Sequence, residues 1–263
     1  MTVRAMSRTE AATEALTLFC LPYAGGSAAI YRDWPARLPQ WIRLVPLHMP
    51  GRGVRHAMRP LHGWRALLDL LVEDAQPFAA QPFAIFGHSM GALIGIELAQ
   101  ALRRRHGVSP VWFGASACKA PSRREPEHHW LTCPESEFID EVRSLNGMPD
   151  ELLENREFME LVLPFLRADF HLCGSYEYRQ REPLDCAMLV LGGIQDTEIS
   201  GEPENLAAWA RETTGPYEQK EIDAGHFFIN THRAGVIDHV VGSLARAFLA
   251  HGPSGAPLER SYA

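Results

Sequence analysis

Gln81-Pro82-Phe83-Ala84-Ile85-Phe86-Gly87-His88-Ser89-Met90-Gly91-Ala92-Leu93-Ile94-Gly95-Ile96-Glu97-Leu98 reads as an apolar strand, a Gly-x-Ser-x-Gly turn and the start of a helix. The five-residue motif alone is common by chance; its place between strand and helix gives it meaning. Glycines on either side of Ser89 suit a turn where backbones approach too closely for a Cβ. Such a turn lifts the Ser89 hydroxyl clear of the carboxyl ends of the strands. It also aims a helix N-terminus at the reacting group, where the dipole favours negative charge. The Met90 backbone N–H is then presented to a developing oxyanion. Ser89 is therefore the expected acyl-accepting nucleophile. His88 points elsewhere on such a turn and is not given the role of base.

Outward from this segment, short apolar runs alternate with helix-patterned stretches. The runs are Leu16–Leu21, Ile42–Leu47, Phe83–Phe86, Val111–Ala115, Ala187–Leu191 and, less clearly, Tyr217–Ile222. Most lack period-two alternation, as expected of strands covered on both faces. Helical spacing appears over Ala28–Leu38, Trp64–Ala75, Gly91–Arg105, Pro203–Thr213 and Val236–Ala250. This order predicts an α/β protein with a mostly parallel central sheet flanked by helices, and with the Ser89 turn it predicts an α/β-hydrolase fold. From about 121 to 180 the pattern is helical only, with stripes at Phe138, Val142 and Leu145 and at Phe158, Leu161, Val162, Phe165 and Leu166. Pro164 is expected to kink or split the second. The stretch reads as an inserted helical lid over the strand ends, or as an extra layer of packing. The expected organisation is one domain, with a core of about 16–120 and 181–251, the lid at about 121–180 and a disordered tail at about 252–263.

With 263 residues, 46% of them hydrophobic, the chain can bury a large core. A net charge of −7 gives no global field for nucleic acid or anionic lipid. The densest basic run, Arg103-Arg104-Arg105, falls where a helix should end and offsets its dipole. The five cysteines are scattered without Cys-x-x-Cys spacing, so neither disulfides nor a zinc site is indicated. Cys20 and Cys186 read as small core residues. Met1–Glu10 lacks a signal-peptide core and no run approaches a membrane span. The expectation is a soluble cytoplasmic protein, by default a monomer, with no membrane or nucleic-acid partner.

A serine nucleophile needs a base within hydrogen-bond reach and a group that orients the base. In this fold the chain order is nucleophile, acid, histidine. Of twelve histidines, His226 in Asp223-Ala224-Gly225-His226-Phe227-Phe228 follows the last strand; His232 and His239 lie on helical pattern. Asp196 follows Met188-Leu189-Val190-Leu191-Gly192-Gly193 and is preferred as the acid over Glu198 and Asp223. The second oxyanion donor is expected from Pro22-Tyr23-Ala24-Gly25-Gly26-Ser27, with the Ala24 N–H as candidate; the alternative is a simple tight turn. No metal or organic cofactor is required, and His128-His129 has no partners at ligand spacing.

These residues resemble the stand-alone type II thioesterases of polyketide and nonribosomal peptide biosynthesis. The resemblance rests on Leu21-Pro22-Tyr23-Ala24-Gly25-Gly26-Ser27, Pro50-Gly51-Arg52-Gly53, the Ser89 turn, Asn146-Gly147-Met148-Pro149, Gly192-Gly193-x-x-Asp196 and Gly225-His226-Phe227. Its most specific part is Leu163-Pro164-Phe165-Leu166-Arg167-Ala168-Asp169-Phe170. It runs from about Leu16 to Ala250. It implies hydrolysis of acyl thioesters from the phosphopantetheine arm of acyl or peptidyl carrier proteins, for editing or release. The substrate brings the phosphopantetheine; the enzyme needs no cofactor. It implies Ser89 as nucleophile, Asp196 as acid, His226 as base, and the Ala24 and Met90 amides as oxyanion hole. One departure is Val54-Arg55-His56-Ala57-Met58-Arg59, basic where many members carry an acid. Arg52, Arg55 and Arg59 read either as a solvated loop or as a docking face for an acidic carrier. A carboxylesterase or lipase, an acyltransferase, or a catalytically silent binding module would be built on the same residues. Preference for free esters, the acceptor used, and activity of Ser89→Ala respectively separate them.

Overall fold

The computed structural model describes residues 16–251. The expectations for Met1–Glu10 and for a tail at 252–263 lie outside the described residues. Among those described, six strands form one parallel sheet: β1 (Leu16–Leu21), β2 (Ile42–Pro46), β3 (Phe83–His88), β4 (Trp112–Ser116), β5 (Ala187–Gly193) and β6 (Tyr217–Ile222). Their order is β2-β1-β3-β4-β5-β6. From β1 the chain steps outward to β2 and returns to β3 on the other side. The loops after β1 and β3 therefore diverge, opening a crevice at the carboxyl edge of the sheet, the usual ligand position in such sheets.

Every residue of β1, β3, β4 and β5 is buried. Alternate side chains feed two different cores. Phe19 and Leu21 pack with α1 (Trp64–Ala75) and α2 (Met90–His106); Leu18 and Cys20 pack on the other face with α9 (Arg233–His251). This two-sided burial explains why the strands read as continuous apolar runs. β6, Tyr-Glu-Gln-Lys-Glu-Ile, is an edge strand and carries the weakest pattern. The arginine run lies in the last turn of α2. There Arg103 donates to the Pro183 carbonyl at 2.7 Å and Arg105 pairs with Asp69 at 2.6 Å.

Between β4 and β5 lie α3 (Glu135–Ser144), α4 (Asp150–Leu153) and α5 (Arg156–Gly174). They share an apolar cluster built on Trp130, Phe138, Val142, Leu153, Met159 and Leu166. After β5 come α6 (Thr197–Ser200) and α7 (Glu204–Ala207), and after β6 comes α8 (Phe228–Thr231). No helix among the described residues is long and apolar enough to cross a membrane.

Two expectations about helices need correction, and one of the two outcomes expected at Pro164 does not occur. Ala28–Leu38 is a short 3-10 turn at Ala28–Tyr31 followed by turns. Pro35 disfavours helical geometry at Trp34. The apolar spacing instead seats Tyr31 and Trp34 in the α9-side core, where the Tyr31 hydroxyl donates to the Leu21 carbonyl at 2.7 Å. Pro203–Thr213 divides into α7 and a 3-10 segment at Ala208–Glu212. Pro164 does not split α5, which runs through it from Arg156 to Gly174. Pro164 and Glu160 both lie on the exposed face, so water can solvate the carbonyl that the proline leaves without a donor.

Candidate active site

β3 passes into α2 through Ser89, which adopts φ 53° and ψ −120°. A non-glycine residue there carries strain that the surroundings must hold. They do so from two sides: Ser89 N–H donates to the Ser116 carbonyl of β4 at 2.7 Å, and Ala92 N–H to the Ser89 carbonyl at 2.9 Å. The flanking glycines have a packing reason. A Cβ on Gly87 would run into the Gly91 carbonyl, and one on Gly91 into the Leu21 carbonyl of β1. The motif is thus the sequence that lets β1, β3 and α2 converge.

Two further loops meet this turn. β5 and β6 are parallel neighbours, so the segments after them leave the same edge of the sheet. Ile194 N–H donates to the Ile222 carbonyl at 2.9 Å and Gln195 N–H to the Ala224 carbonyl at 3.1 Å. That pairing carries Asp196 and His226 toward each other. Asp196, 2% exposed, holds Glu198 N–H on one oxygen at 3.1 Å and His226 Nδ1 on the other at 2.7 Å. His226 Nε2 lies 2.9 Å from Ser89 Oγ. A carboxylate only accepts, so Nδ1 donates and the free Nε2 accepts the Ser89 hydroxyl proton. Asp223 instead takes a bond from Gln195 at 2.9 Å on an exposed edge, and the Glu198 contact to Asp196 is through its backbone.

His88 is fully buried and occupies a role the sequence did not reveal. Its Nε2 lies 2.9 Å from the His226 carbonyl and its Nδ1 2.9 Å from Ser116 Oγ. The carbonyl can only accept, so Nε2 carries the proton and Nδ1 accepts from the Ser116 hydroxyl. Burial, then the nearby His226, hold its pKa well below the ordinary histidine value. His88 is a neutral strut beneath the backbone of His226.

Two cavities share Ser89, His226 and Ala24. One of about 310 Å³ is mostly apolar, lined by Ile30, Val142, Met148, Leu166, Phe170 and Phe227 among others. The other, about 160 Å³, is bordered by Lys119, Arg124, Glu127, Glu141 and Glu198. Burial, with repulsion from Glu198 and Glu127, raises the Glu141 pKa. Met90 and Ala24 both line the smaller cavity beside Ser89. Met90 is the first residue of α2, so its N–H has no carbonyl in the preceding turn to satisfy it.

The basic segment is not a docking face made of Arg52, Arg55 and Arg59. Arg52 is 7% exposed and bonded to Asp169 of α5. Arg55 is half-buried, donating to Asp74 at 2.5 Å and to the His48 carbonyl at 2.8 Å. Only Arg59 of the three is exposed. Two of the charges are consumed inside the protein. Among the described residues no group of three or more His, Cys, Asp or Glu is arranged to hold a metal ion.

The family described as "Thioesterase domain" matches residues 16–244. The gramicidin S biosynthesis protein GrsT of Aneurinibacillus migulanus is 37% identical over 229 residues, covering 87% of this chain and 89% of that protein. Among solved structures, the RedJ thioesterase from the prodiginine biosynthetic pathway in Streptomyces coelicolor superposes with a TM-score of 0.80 at 31% identity, over 92% of this chain and 91% of that one. YbtT, a type II thioesterase from the yersiniabactin NRPS/PKS biosynthetic pathway, gives 0.76 at 31% identity, over 89% and 94%. The family match opens on the first residue of β1 and closes inside α9, leaving no strand of the sheet outside it, and the chain therefore belongs to the thioesterase family of α/β-hydrolases, alongside type II thioesterases of nonribosomal peptide and polyketide pathways.

Proposed function

We propose that this thioesterase removes acyl groups from the phosphopantetheine arm of acyl or peptidyl carrier proteins, with Ser89 as nucleophile, His226 as base and Asp196 as its orienting acid. The observation that carries the reading is the continuous hydrogen-bonded chain Asp196–His226–Ser89, at 2.7 and 2.9 Å, opening on both cavities. His226 Nε2 takes the hydroxyl proton as Ser89 Oγ attacks the thioester carbonyl carbon. The Ala24 and Met90 amides face the oxyanion of the tetrahedral intermediate. Its collapse breaks the C–S bond, and the sulfur leaves with the proton from His226. Water then attacks the Ser89 ester by the same route, releasing a carboxylic acid and restoring the serine. The balance closes without metal or organic cofactor.

The apolar cavity suits the acyl chain, and because Val142 of α3 and Leu166 and Phe170 of α5 form part of its wall, helices α3–α5 act as a lid. Five unpaired cysteines suit a reducing cytoplasm. A monomer suffices, because all the groups used come from one chain.

Mass spectrometry of defined acyl-carrier proteins tests the reading. Wild type is expected to strip the acyl mass. Ser89→Ala should lose turnover altogether, and Asp196→Asn should lose about 10⁴-fold, as when an orienting aspartate is replaced in a serine triad. A fluorophosphonate should label Ser89. Faster cleavage of simple free esters than of carrier-bound thioesters, or full turnover by Ser89→Ala, overturns the proposal.

A further inference from the structure

Pro50-Gly51-Arg52-Gly53 and the Asp169 segment of α5 lie more than a hundred residues apart, and the chemistry described above uses neither. Their side chains meet in the interior. Arg52 and Asp169 are 6% and 5% exposed, joined by Nη2–Oδ2 at 2.7 Å and Nη1–Oδ1 at 3.3 Å. The guanidinium also lies 5.0 Å from the centre of the Phe165 ring. A buried ion pair is poor evidence of stabilisation, since desolvation consumes most of what the attraction returns. The remaining bonds of this pair indicate a different task.

Asp169 Oδ2 accepts from Gly25 N–H at 2.8 Å, and Arg52 Nε donates to the Gly26 carbonyl at 2.5 Å. Within the same loop, Gly26 N–H donates to the Tyr23 carbonyl at 2.9 Å. The peptide planes from Tyr23 to Ser27 are thereby fixed in succession. Tyr23–Ala24 is held through its carbonyl, Ala24–Gly25 through its N–H, Gly25–Gly26 through its N–H and Gly26–Ser27 through its carbonyl. In a trans peptide the C=O and N–H point opposite ways, so pinning the Tyr23 carbonyl sets the direction of the Ala24 N–H. The loop needs one external acceptor and one external donor, and an acid–guanidinium pair supplies both while neutralising itself. Because Asp169 belongs to α5, the loop is held only when α5 is seated.

We infer that Arg52 and Asp169 are positioning residues for thioester hydrolysis, aiming the Ala24 N–H at the oxyanion and making that aim depend on the seating of α5. The inference rests on the reading of Ala24 as an oxyanion donor. An apolar pair of similar volume would still fill the space and hold α5 to the loop, yet it would offer Gly25 N–H and Gly26 C=O nothing. That contrast separates positioning from packing.

The test compares wild type, Arg52→Met/Asp169→Leu, Arg52→Lys and Ser89→Ala on an octanoyl N-acetylcysteamine thioester. An octyl trifluoromethyl ketone serves as the tetrahedral analogue. The double variant is expected to stay folded with its thermal midpoint lowered by about 5–10 °C: apolar replacement of a buried pair is often neutral in itself, but Gly25 N–H and Gly26 C=O lose their partners. Its kcat should fall about a hundredfold, the order of loss for a misplacement near 1 Å. KM should change less than about threefold, and the ketone should weaken with kcat, because the lost interaction forms only at the tetrahedral stage. Arg52→Lys, which keeps the charge but loses the Nε bond to Gly26, should retain the fold and show a smaller loss of the same kind. A folded double variant with wild-type kcat overturns the inference; if the double does not fold, wild-type kcat in Arg52→Lys does so. Either result beside an inactive Ser89→Ala removes the positioning role alone. Turnover by Ser89→Ala removes the functional reading and this inference with it.

Discussion

His88→Phe isolates the strut beneath His226. Phenylalanine preserves a ring against Tyr23 and Phe228, whose centroids lie 5.9 and 5.1 Å away, and removes both ring nitrogens. The His226 carbonyl loses its donor and the fully buried Ser116 hydroxyl its acceptor. A buried polar group left without a partner costs about 1–3 kcal/mol, and the hydroxyl can turn elsewhere, so the expected loss near pH 7.5 is about 2 kcal/mol. The loss should shrink in acid. Burial holds His88 neutral in the folded protein, its pKa well below the ordinary value, whereas the unfolded chain's histidine titrates near about 6.5. Below that point the unfolded state binds a proton the folded state refuses. The stability from His88 is thus complete above the unfolded pKa and lost as pH falls toward the folded one. The loss runs at up to about 1.4 kcal/mol per pH unit, so the contribution of His88 shrinks as pH falls below the unfolded value. Phenylalanine has no proton to bind.

Urea unfolding of both proteins at pH 7.5, 6 and 5, followed by tryptophan fluorescence, should therefore show a gap that narrows steadily from pH 7.5 to pH 5. His48 and His171, also held low mainly by burial, are common to both proteins and cancel. A gap independent of pH would refute a neutral, doubly bonded His88. The variant should also lose about tenfold in kcat as the backbone of His226 loosens.

Gly91→Ala drives a Cβ into the Leu21 carbonyl, and a loss of about 2–3 kcal/mol in urea unfolding is expected. Gly235→Ala in the first turn of α9 meets nothing within 4 Å and should stabilise by up to about 1 kcal/mol, so equal effects would contradict the packing argument. Burial pushes the Cys173 and Cys186 thiols up to about 12 and raises Cys20 and Cys118 as well. A thiol-exchange reagent at pH 8 should titrate one group, Cys133, quickly in the native protein and all five after denaturation. Two fast thiols in the native state would contradict this.

What was legible in the sequence follows the range of the interaction behind each feature. β1, β3 and β5 stood out because both faces of each strand are buried, which forbids polar residues along the whole run. β6 was faint because an edge strand tolerates Glu218, Lys220 and Glu221. Ala28–Leu38 has the apolar spacing of a helix without forming one, because the spacing only permits a helix whereas Pro35 acts on the backbone directly. Asp196 and His226 are 30 residues apart and could be placed on neighbouring loops because strand order supplies the missing distance.

Arg52 and Asp169, 117 residues apart, show where such reading stops. A run containing Arg52, Arg55 and Arg59 looks like exposed charge only on the assumption that arginines face water. That assumption fails when a backbone turn elsewhere needs a donor and an acceptor and has no room for solvent. Gly25 shows how little room there is: a Cβ there would sit 2.6 Å from the Leu166 side chain of α5. The same tight seating that makes the loop a sequence of glycines makes its polar groups depend on side chains from two distant segments. Neither segment contains a trace of the other in its own periodicity or spacing. What links them is the unsatisfied polarity of a third, and only the assembled crevice between β1 and α5 displays it.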